Sequence, residues 1–466
     1  MLELHKGNNA YCIENKILYR LKEVEKYIIK KSYVLEPWEV RHAKYIDFGN
    51  YDYLDDWQEL RIGDFWAKSG ETAFIKKDIV LDDCKDEYIA LSLKTDGEGL
   101  LYVNGKPFHG ADDFRGYICL TPSGRDREQF SLMLEQKAGG YEDFEDKPDR
   151  HIFSEAKIKY IDKEIESIYY DYYVPFDVGA NHKDKVMSDL LLNLVYDSLM
   201  NIDFYTDKTT VREKIKKENA AFRKKLKDLP KAPGYVHFIG NSHIDLAFMW
   251  PKRETERKIG RTFSSLCRLM EEFPNYYFMC SQVPIYEYLK KNYPEIYAEI
   301  KELVKKKRFE PIGGVYVQSS TNLLGGESLV RQCLYGKRFF RKEFDFDVKV
   351  GWLPDTFGFV YSLPQIYKQA GIEVLFTQKL RYNDTDSHYD PDHIPSLMFN
   401  WEGCDGSSIL MYNTGSYKHL TTDSMDFMMY NLGYYYNKAK HMPMPGYLAP
   451  YGFGDGGGGV NRKQLE

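Results

Sequence analysis

The segment GYVHFIGNSHIDLAFMWP, residues 234–251, decides how the rest of the chain is to be read. Its first half is a short apolar run of the kind that forms a buried strand, and the run ends in His243-Ile244-Asp245. Residues two apart on an extended chain project to the same side, so the imidazole and the carboxylate face one way while Ile244 turns into the core. Nitrogen and oxygen donors of this kind suit zinc. H-x-D by itself is a weak signal, since Asp245 can equally cap a helix and His243 can be a satisfied core side chain.

Downstream the texture repeats. YYFMCSQ (276–282), FEPIGG (309–314), VKVGWLP (348–354) and VLFTQ (374–378) read as strands. Between them TFSSLCRLMEEF (262–273), PEIYAEIKELVKKKR (294–308), ESLVRQCLYGKRFFRKEF (327–344) and LPQIYKQAG (363–371) read as helices. This alternation predicts an α/β domain over 234–466, a parallel sheet or a barrel-like arrangement of parallel strands, with ligands at the carboxyl ends of the strands. The strand 348–354 leads straight into Asp355, which would emerge at the rim occupied by His243 and Asp245 and complete three protein ligands. The competing reading of Asp355 is a helix N-cap.

Upstream, residues 184–233 predict a helical linker, with DKVMSDLLLNLVYDSLM (184–200) and VREKIKKENAAFRKKLKDL (211–229) at helical spacing and Pro230 and Pro233 ending it. Its lysines are expected on a solvated face. Residues 1–183 predict an antiparallel β-sandwich, from the short strands TAFIKKDIVL (72–81), EYIALSLKTD (87–96), GLLYVNGKPF (99–108) and GYICL (116–120). Asn104-Gly105 within the third is a two-residue hairpin signal, because both turn positions tolerate positive φ.

Composition narrows the function classes. With 64 Lys and Arg against 70 Asp and Glu the formal charge is −6, which offers no general attraction for nucleic acid or acidic lipid. No stretch approaches the ~18 apolar residues of a membrane span, and the polar amino terminus has no signal-peptide core, so a cytoplasmic protein is expected. The seven cysteines are scattered without a C-x-x-C pair, which predicts reduced core residues. The 39 tyrosines suit sugar stacking, although core filling explains most tyrosines equally well.

HIDLAFMWP (243–251) and GWLPDTFGFVYSLPQI (351–366) resemble the two signature segments of the class II α-mannosidases, glycoside hydrolase family 38. SQVPIYEYLKK (281–291), GGESLVRQCLYGKRFF (325–340), LFTQKL (375–380), WEGCDGS (401–407) and GFGDGGGG (452–459) resemble the cytosolic and bacterial branch of that family. The resemblance runs in collinear order over 234–466. It implies one zinc ion held by His243, Asp245 and Asp355, with Asp355 also the nucleophile of a retaining mechanism. A second carboxyl, about 5 to 5.5 Å from the nucleophile, then acts as acid and base. Asp423 is the candidate for that group, with Asp384, Asp386 and Asp405 as alternatives. Phe248, Phe357 and Asp455 fall on substrate-facing positions. The implied substrate is a mannose-containing oligosaccharide with a terminal α-mannoside, and homo-oligomers are compatible with the sequence.

The glycine run at 452–459 lacks the G-K-[ST] ending of a phosphate loop, leaving a tight turn carrying Asp455 or a flexible linker. Two departures stand out. Phe248 replaces the family's usual Trp, and Tyr316-Val317-Gln318-Ser319-Ser320 replaces a W-V-E-x-D type run, removing two carboxylates from a strand end. The family's fourth zinc ligand, a histidine, comes from beyond the glycine-rich loop, whereas this chain stops at Glu466. An amino-terminal portion of a longer enzyme, with little or no mannosidase activity alone, is therefore expected. The competing classes are a metal-dependent carbohydrate deacetylase, in which the same donors would activate water, and a catalytically silent sugar-binding protein.

Overall fold

The computed structural model describes residues 12–112, 115–139, 151–182, 184–230, 235–381, 397–413, 446–453 and 455–466. Two antiparallel sheets dominate the first third. One orders its strands Ile29–Val34, Glu155–Ile161, Tyr88–Lys94 and Tyr117–Thr121. The other is centred on Thr72–Asp82 and Arg127–Ala138, which pair in unbroken register from Arg127 with Asp82 to Lys137 with Thr72. Alternating side chains along 127–134 send Phe130, Leu132 and Leu134 inward, into one cluster with Ile89, Leu91 and Ile158 of the first sheet. The strands Gly97–Val103 and Lys106–Ala111 form the expected hairpin, with φ of 51° at Asn104 and 77° at Gly105.

Helices Lys185–Met200 and Lys208–Lys227 fall where the apolar spacing put them, each opened by an aspartate, Asp184 or Asp207, that accepts from backbone N–H groups of the first turn. The second buries Val211, Ile215 and Phe222 and leaves its lysines outward. Two further helices, Ile13–Glu25 and Lys163–Asn181, lie inside the stretch read as strands. Ile17, Leu21, Ile165, Tyr172, Val195 and Phe222 share one cluster, so the helical unit draws on both ends of the 1–183 stretch.

The second half builds parallel pairs, as its alternation requires. Phe309–Pro311, Phe278–Cys280, Tyr235–Asn241 and Gly446–Tyr451 form one parallel sheet in that order. Val350–Trp352, Val374–Thr377 and Ser408–Asn413 form another, edged by the antiparallel strand Met398–Glu402. The described strands thus make one parallel and one mixed sheet with helices around them, and not one continuous closed barrel. Met279 and Ile312, on the first sheet's side, pack with Trp352 and Phe376 of the second, and Gly313 N–H donates to Val350 C=O across the gap at 2.8 Å.

The helix Lys252–Glu272 joins the halves. It lies against the strands Gly97–Val103 and Lys106–Ala111 and buries charged residues along with apolar ones. Glu98 pairs with Lys258 at 3.0 Å and with Arg261 at 2.6 Å; Glu254 pairs with Arg261 at 2.8 Å and Arg257 at 3.1 Å; Arg257 reaches Glu135 at 2.9 Å. Burial pushes the Glu254 carboxyl up, but Arg257 and Arg261 outweigh it and hold the group at about 2. The seam holds in place the helix that begins immediately after Pro251.

Candidate metal centre

His243, Asp245 and Asp355 converge. His243 Nε2 lies 3.2 Å from Asp245 Oδ1 and 3.8 Å from Asp355 Oδ2, and one donor atom from each residue falls within 4.8 Å of the others. Ligands of a four-coordinate ion with bonds of about 2.1 Å sit roughly 3.4 Å apart, so this spacing fits a single divalent cation. The donor set fits as well, with one imidazole nitrogen and two carboxylate oxygens. The imidazole is buried while both carboxylates are partly exposed, which leaves an open side for solvent or substrate.

Local structure explains the convergence. Strand Tyr235–Asn241 sits inside its sheet and delivers His243 and Asp245 just past its carboxyl end, with Ile244 fully buried between them. Thr255 Oγ1 donates to Leu246 C=O at 2.9 Å and accepts from Trp250 Nε1 at 2.9 Å, pinning the loop that follows Asp245 to the first turn of the next helix. Neither aspartate is a helix cap: helix Lys252–Glu272 is preceded by Pro251, and helix Leu363–Gln369 by Ser362. Trp352 stacks on Phe376 at 3.8 Å and Leu353 N–H donates to Phe376 C=O at 3.0 Å, which sets Asp355 beside the end of strand Val374–Thr377.

That neighbouring strand end supplies a residue the sequence reading passed over. Lys379 Nζ lies 2.5 Å from Asp355 Oδ1 and 4.1 Å from the centroid of the Phe357 ring. The two oxygens of Asp355 are therefore divided, one facing an ammonium and the other the imidazole. Lys379, Phe357, Phe359, Phe399 and Trp401 line a cavity of about 370 Å³. Its position at a strand's carboxyl end was the available signal for Lys379.

Gln282 and Gln318 are likewise absent from the sequence-derived site. Gln282 holds φ 72° and ψ 108°, outside the usual regions for a side chain with a Cβ, at a cost of about 1–3 kcal/mol. The buried amide donates from Nε2 to Ile244 C=O at 3.1 Å and accepts at Oε1 from Gln318 N–H at 3.3 Å. Gln318 Nε2 donates in turn to Trp352 C=O at 3.1 Å.

Of the other expected residues, Phe357 is 61% exposed beside Lys379, and Phe248 is 60% exposed with its ring edge-on to Trp250 at 5.9 Å. Asp405 closes a turn, accepting from Ser407 N–H at 2.9 Å and Ser407 Oγ at 2.8 Å. Asp384, Asp386 and Asp423 lie outside the described residues, as does the side chain of Asp455. The glycine-rich segment is a tight turn and not a linker. Phe453 and Gly459 exchange backbone hydrogen bonds at 2.8 and 3.1 Å, and Arg115 Nη2 donates to Gly458 C=O at 2.7 Å. Thr262 Oγ1 donates to Gly457 C=O, and Gly457, at φ 82°, lies so close to Ile244 that an added Cβ would meet it at 2.8 Å. Of the seven free cysteines Cys84, Cys119, Cys267, Cys280 and Cys333 are buried, whereas Cys404 is exposed and Cys12 intermediate, so those two depart from the expected core positions.

The chain is similar in sequence to proteins named α-mannosidases. The chain is 31% identical over 426 residues to Alpha-mannosidase G of Dictyostelium discoideum, covering 88% of this chain and 38% of that protein. It is 39% identical over 236 residues to an Alpha-mannosidase of Saccharomyces cerevisiae, covering 50% of this chain and 21% of the relative. It is 37% identical over 233 residues to human Alpha-mannosidase 2C1, with the same coverages of 50% and 21%. The chain thus spans less than two fifths of the length of each of these relatives. No described helix is long and apolar enough to cross a membrane. Residues 233–466 match the glycosyl hydrolases family 38 N-terminal domain, half of the chain including all three converging donors, and the chain belongs to that family.

Proposed function

We propose that this chain carries the metal and nucleophile side of a zinc-dependent, retaining α-mannosidase acting on terminal α-mannosides of oligosaccharides. The observation that carries the reading is the meeting of His243, Asp245 and Asp355 at two strand ends with ligand-like spacing. The relatives named α-mannosidases support the substrate class. Zinc bound by these three residues supplies a positive charge that polarises and orients sugar hydroxyls. Asp355 attacks the anomeric carbon and forms the glycosyl-enzyme ester as the glycosidic C–O bond breaks and the departing oxygen takes a proton from the acid; water deprotonated by the same group then cleaves the ester, while Lys379, against Asp355 Oδ1, fixes the carboxylate's orientation. Phe357 and Phe248 offer exposed ring faces to the pyranose, and Asp455 a hydrogen-bond acceptor. Asp423 is the assigned acid and base. The same reading takes the antiparallel sheets within 1–183 as an accessory sandwich, the helices around 184–233 as a connector and 234–466 as the α/β catalytic domain of a cytoplasmic enzyme.

Calorimetric titration tests the reading. The chain is expected to take up one zinc ion at neutral pH and to bind mannose only when the metal is present. A chain that takes up no zinc, or binds mannose equally with and without chelator, overturns it. Incubation with an activated fluoromannoside is expected to leave a mannosyl adduct on Asp355, detectable by peptide mass. Release of acetate from an acetylated sugar, without mannose from a mannoside, would instead favour the deacetylase.

A further inference from the structure

We infer that Gln282 and Gln318 form an amide relay that sets the separation of the two ligand-bearing strand ends, an inference that rests on the metal-site reading above. Each link joins one strand end to the next. Gln282 donates to the carbonyl of Ile244, the residue between His243 and Asp245, and Gln318 donates to the carbonyl of Trp352, three residues before Asp355. The two are coupled where Gln318 N–H meets Gln282 Oε1. The partners dictate how each amide is oriented: both Nε2 groups face carbonyl oxygens, and Gln282 Oε1 faces an N–H.

Strain makes the assignment more specific. Gln282 is 4% exposed, directly follows strand Phe278–Cys280 and Ser281, and adopts a positive φ that glycine would occupy without penalty. A glycine there would relieve the backbone and lose the amide. The chain keeps a long polar side chain in the costly conformation, and that conformation aims its amide at Ile244. Val283 N–H donates to Tyr316 C=O at 2.8 Å, a backbone bond that ties the loops bearing the two glutamines together independently of the relay. Removing an amide therefore leaves both loops anchored.

Gln282 and Gln318 are positioning residues, since they act through the backbone of the ligand strands. Outer partners that orient metal ligands typically contribute 10- to 100-fold in affinity. The test uses the whole chain and its Gln282→Met, Gln318→Met and double variants, with zinc affinity measured by competition against a chromophoric chelator. Each single variant is expected to bind zinc about tenfold or more weakly, and the double variant no more weakly than the worse single, because one broken link already uncouples the strand ends. The visible spectrum of the cobalt(II)-loaded single variants is expected to shift as the ligand geometry relaxes. Wild-type affinity and an unchanged cobalt spectrum, with only a lower unfolding temperature, would mean ordinary structural roles and overturn the relay. Additive losses in the double variant would overturn the coupling. If Gln282→Met fails to fold, Gln318→Met and its cobalt spectrum decide the matter. Failure of the wild-type chain to bind zinc would instead sink the metal-site reading itself.

Discussion

Two clusters of charge, one along helix Lys252–Glu272 and one at the strand ends bearing His243, Asp245 and Asp355, are built on opposite principles. In the seam, Glu98, Glu135 and Glu254 interleave with Arg257, Lys258 and Arg261, all of them buried, so each removal from water is offset by an opposite partner. At the metal centre, two carboxylates crowd one imidazole and one ammonium, and the cluster is partly open. The same residue types therefore do different work. Balanced and sealed, they lock two halves together; anion-rich and open, they attract a cation.

The sharpest way to break the comparison is to remove one member from each cluster. Glu98→Ala takes away the carboxylate shared by Lys258 and Arg261 and is expected to cost about 3–5 kcal/mol in urea unfolding, with zinc affinity of the folded chain unchanged. Asp355→Asn should do the reverse, keeping the fold and weakening zinc binding by roughly 100-fold, about 3 kcal/mol. If Glu98→Ala altered zinc affinity as strongly as Asp355→Asn, the two clusters would be one functional unit.

Much of this arrangement was legible beforehand, and the reason is periodicity. His243, Asp245 and Asp355 each follow a short apolar strand, so their projection from a shared rim could be read from spacing two and from strand order. Lys379 had only its strand-end position, and Gln282 and Gln318 had no such signal. Their roles depend on which strand ends lie side by side and, for Gln282, on a positive φ that residue type does not announce. Helix Lys163–Asn181 was not singled out in the sequence: its tyrosines and internal Pro175 have low helix propensity, and packing of Tyr172 and Phe176 among the neighbouring helices overrides it.

Acid sharpens the contrast further. Burial, aided by Arg115, lowers the His109 imidazole to about 3 from its ordinary 6.5. The folded chain therefore resists a proton that the unfolded chain accepts, so the stability His109 confers is complete above pH 6.5 and is lost as pH falls toward 3. Between pH 6.5 and 5 the loss is about 2 kcal/mol by linkage, and His109→Gln should flatten the urea midpoint over that interval. Glu254 adds a second window, with stability present above 4.5 and lost as pH approaches 2. A midpoint of His109→Gln that tracked the wild type from pH 6.5 to 5 would exclude the imidazole as the source.

The smallest effect belongs to the turn that touches both regions. Gly457→Ala would press a methyl group onto Ile244 at a positive φ, and is expected to cost about 1 kcal/mol in zinc affinity. An unchanged titration would mean that Ile244 yields without moving the donors on either side.

The buried seam also bears on modularity. The family match begins at residue 233, yet the anions that answer Arg257, Lys258 and Arg261 include Glu98 and Glu135 from well before it. Residues 233–466 are therefore expected to fold poorly on a foreign partner region, or without their own, unless those carboxylates travel with them. Substitutions in the antiparallel sheets are thus expected to cost less at strands remote from helix Lys252–Glu272 than at Glu98 and Glu135, which meet it.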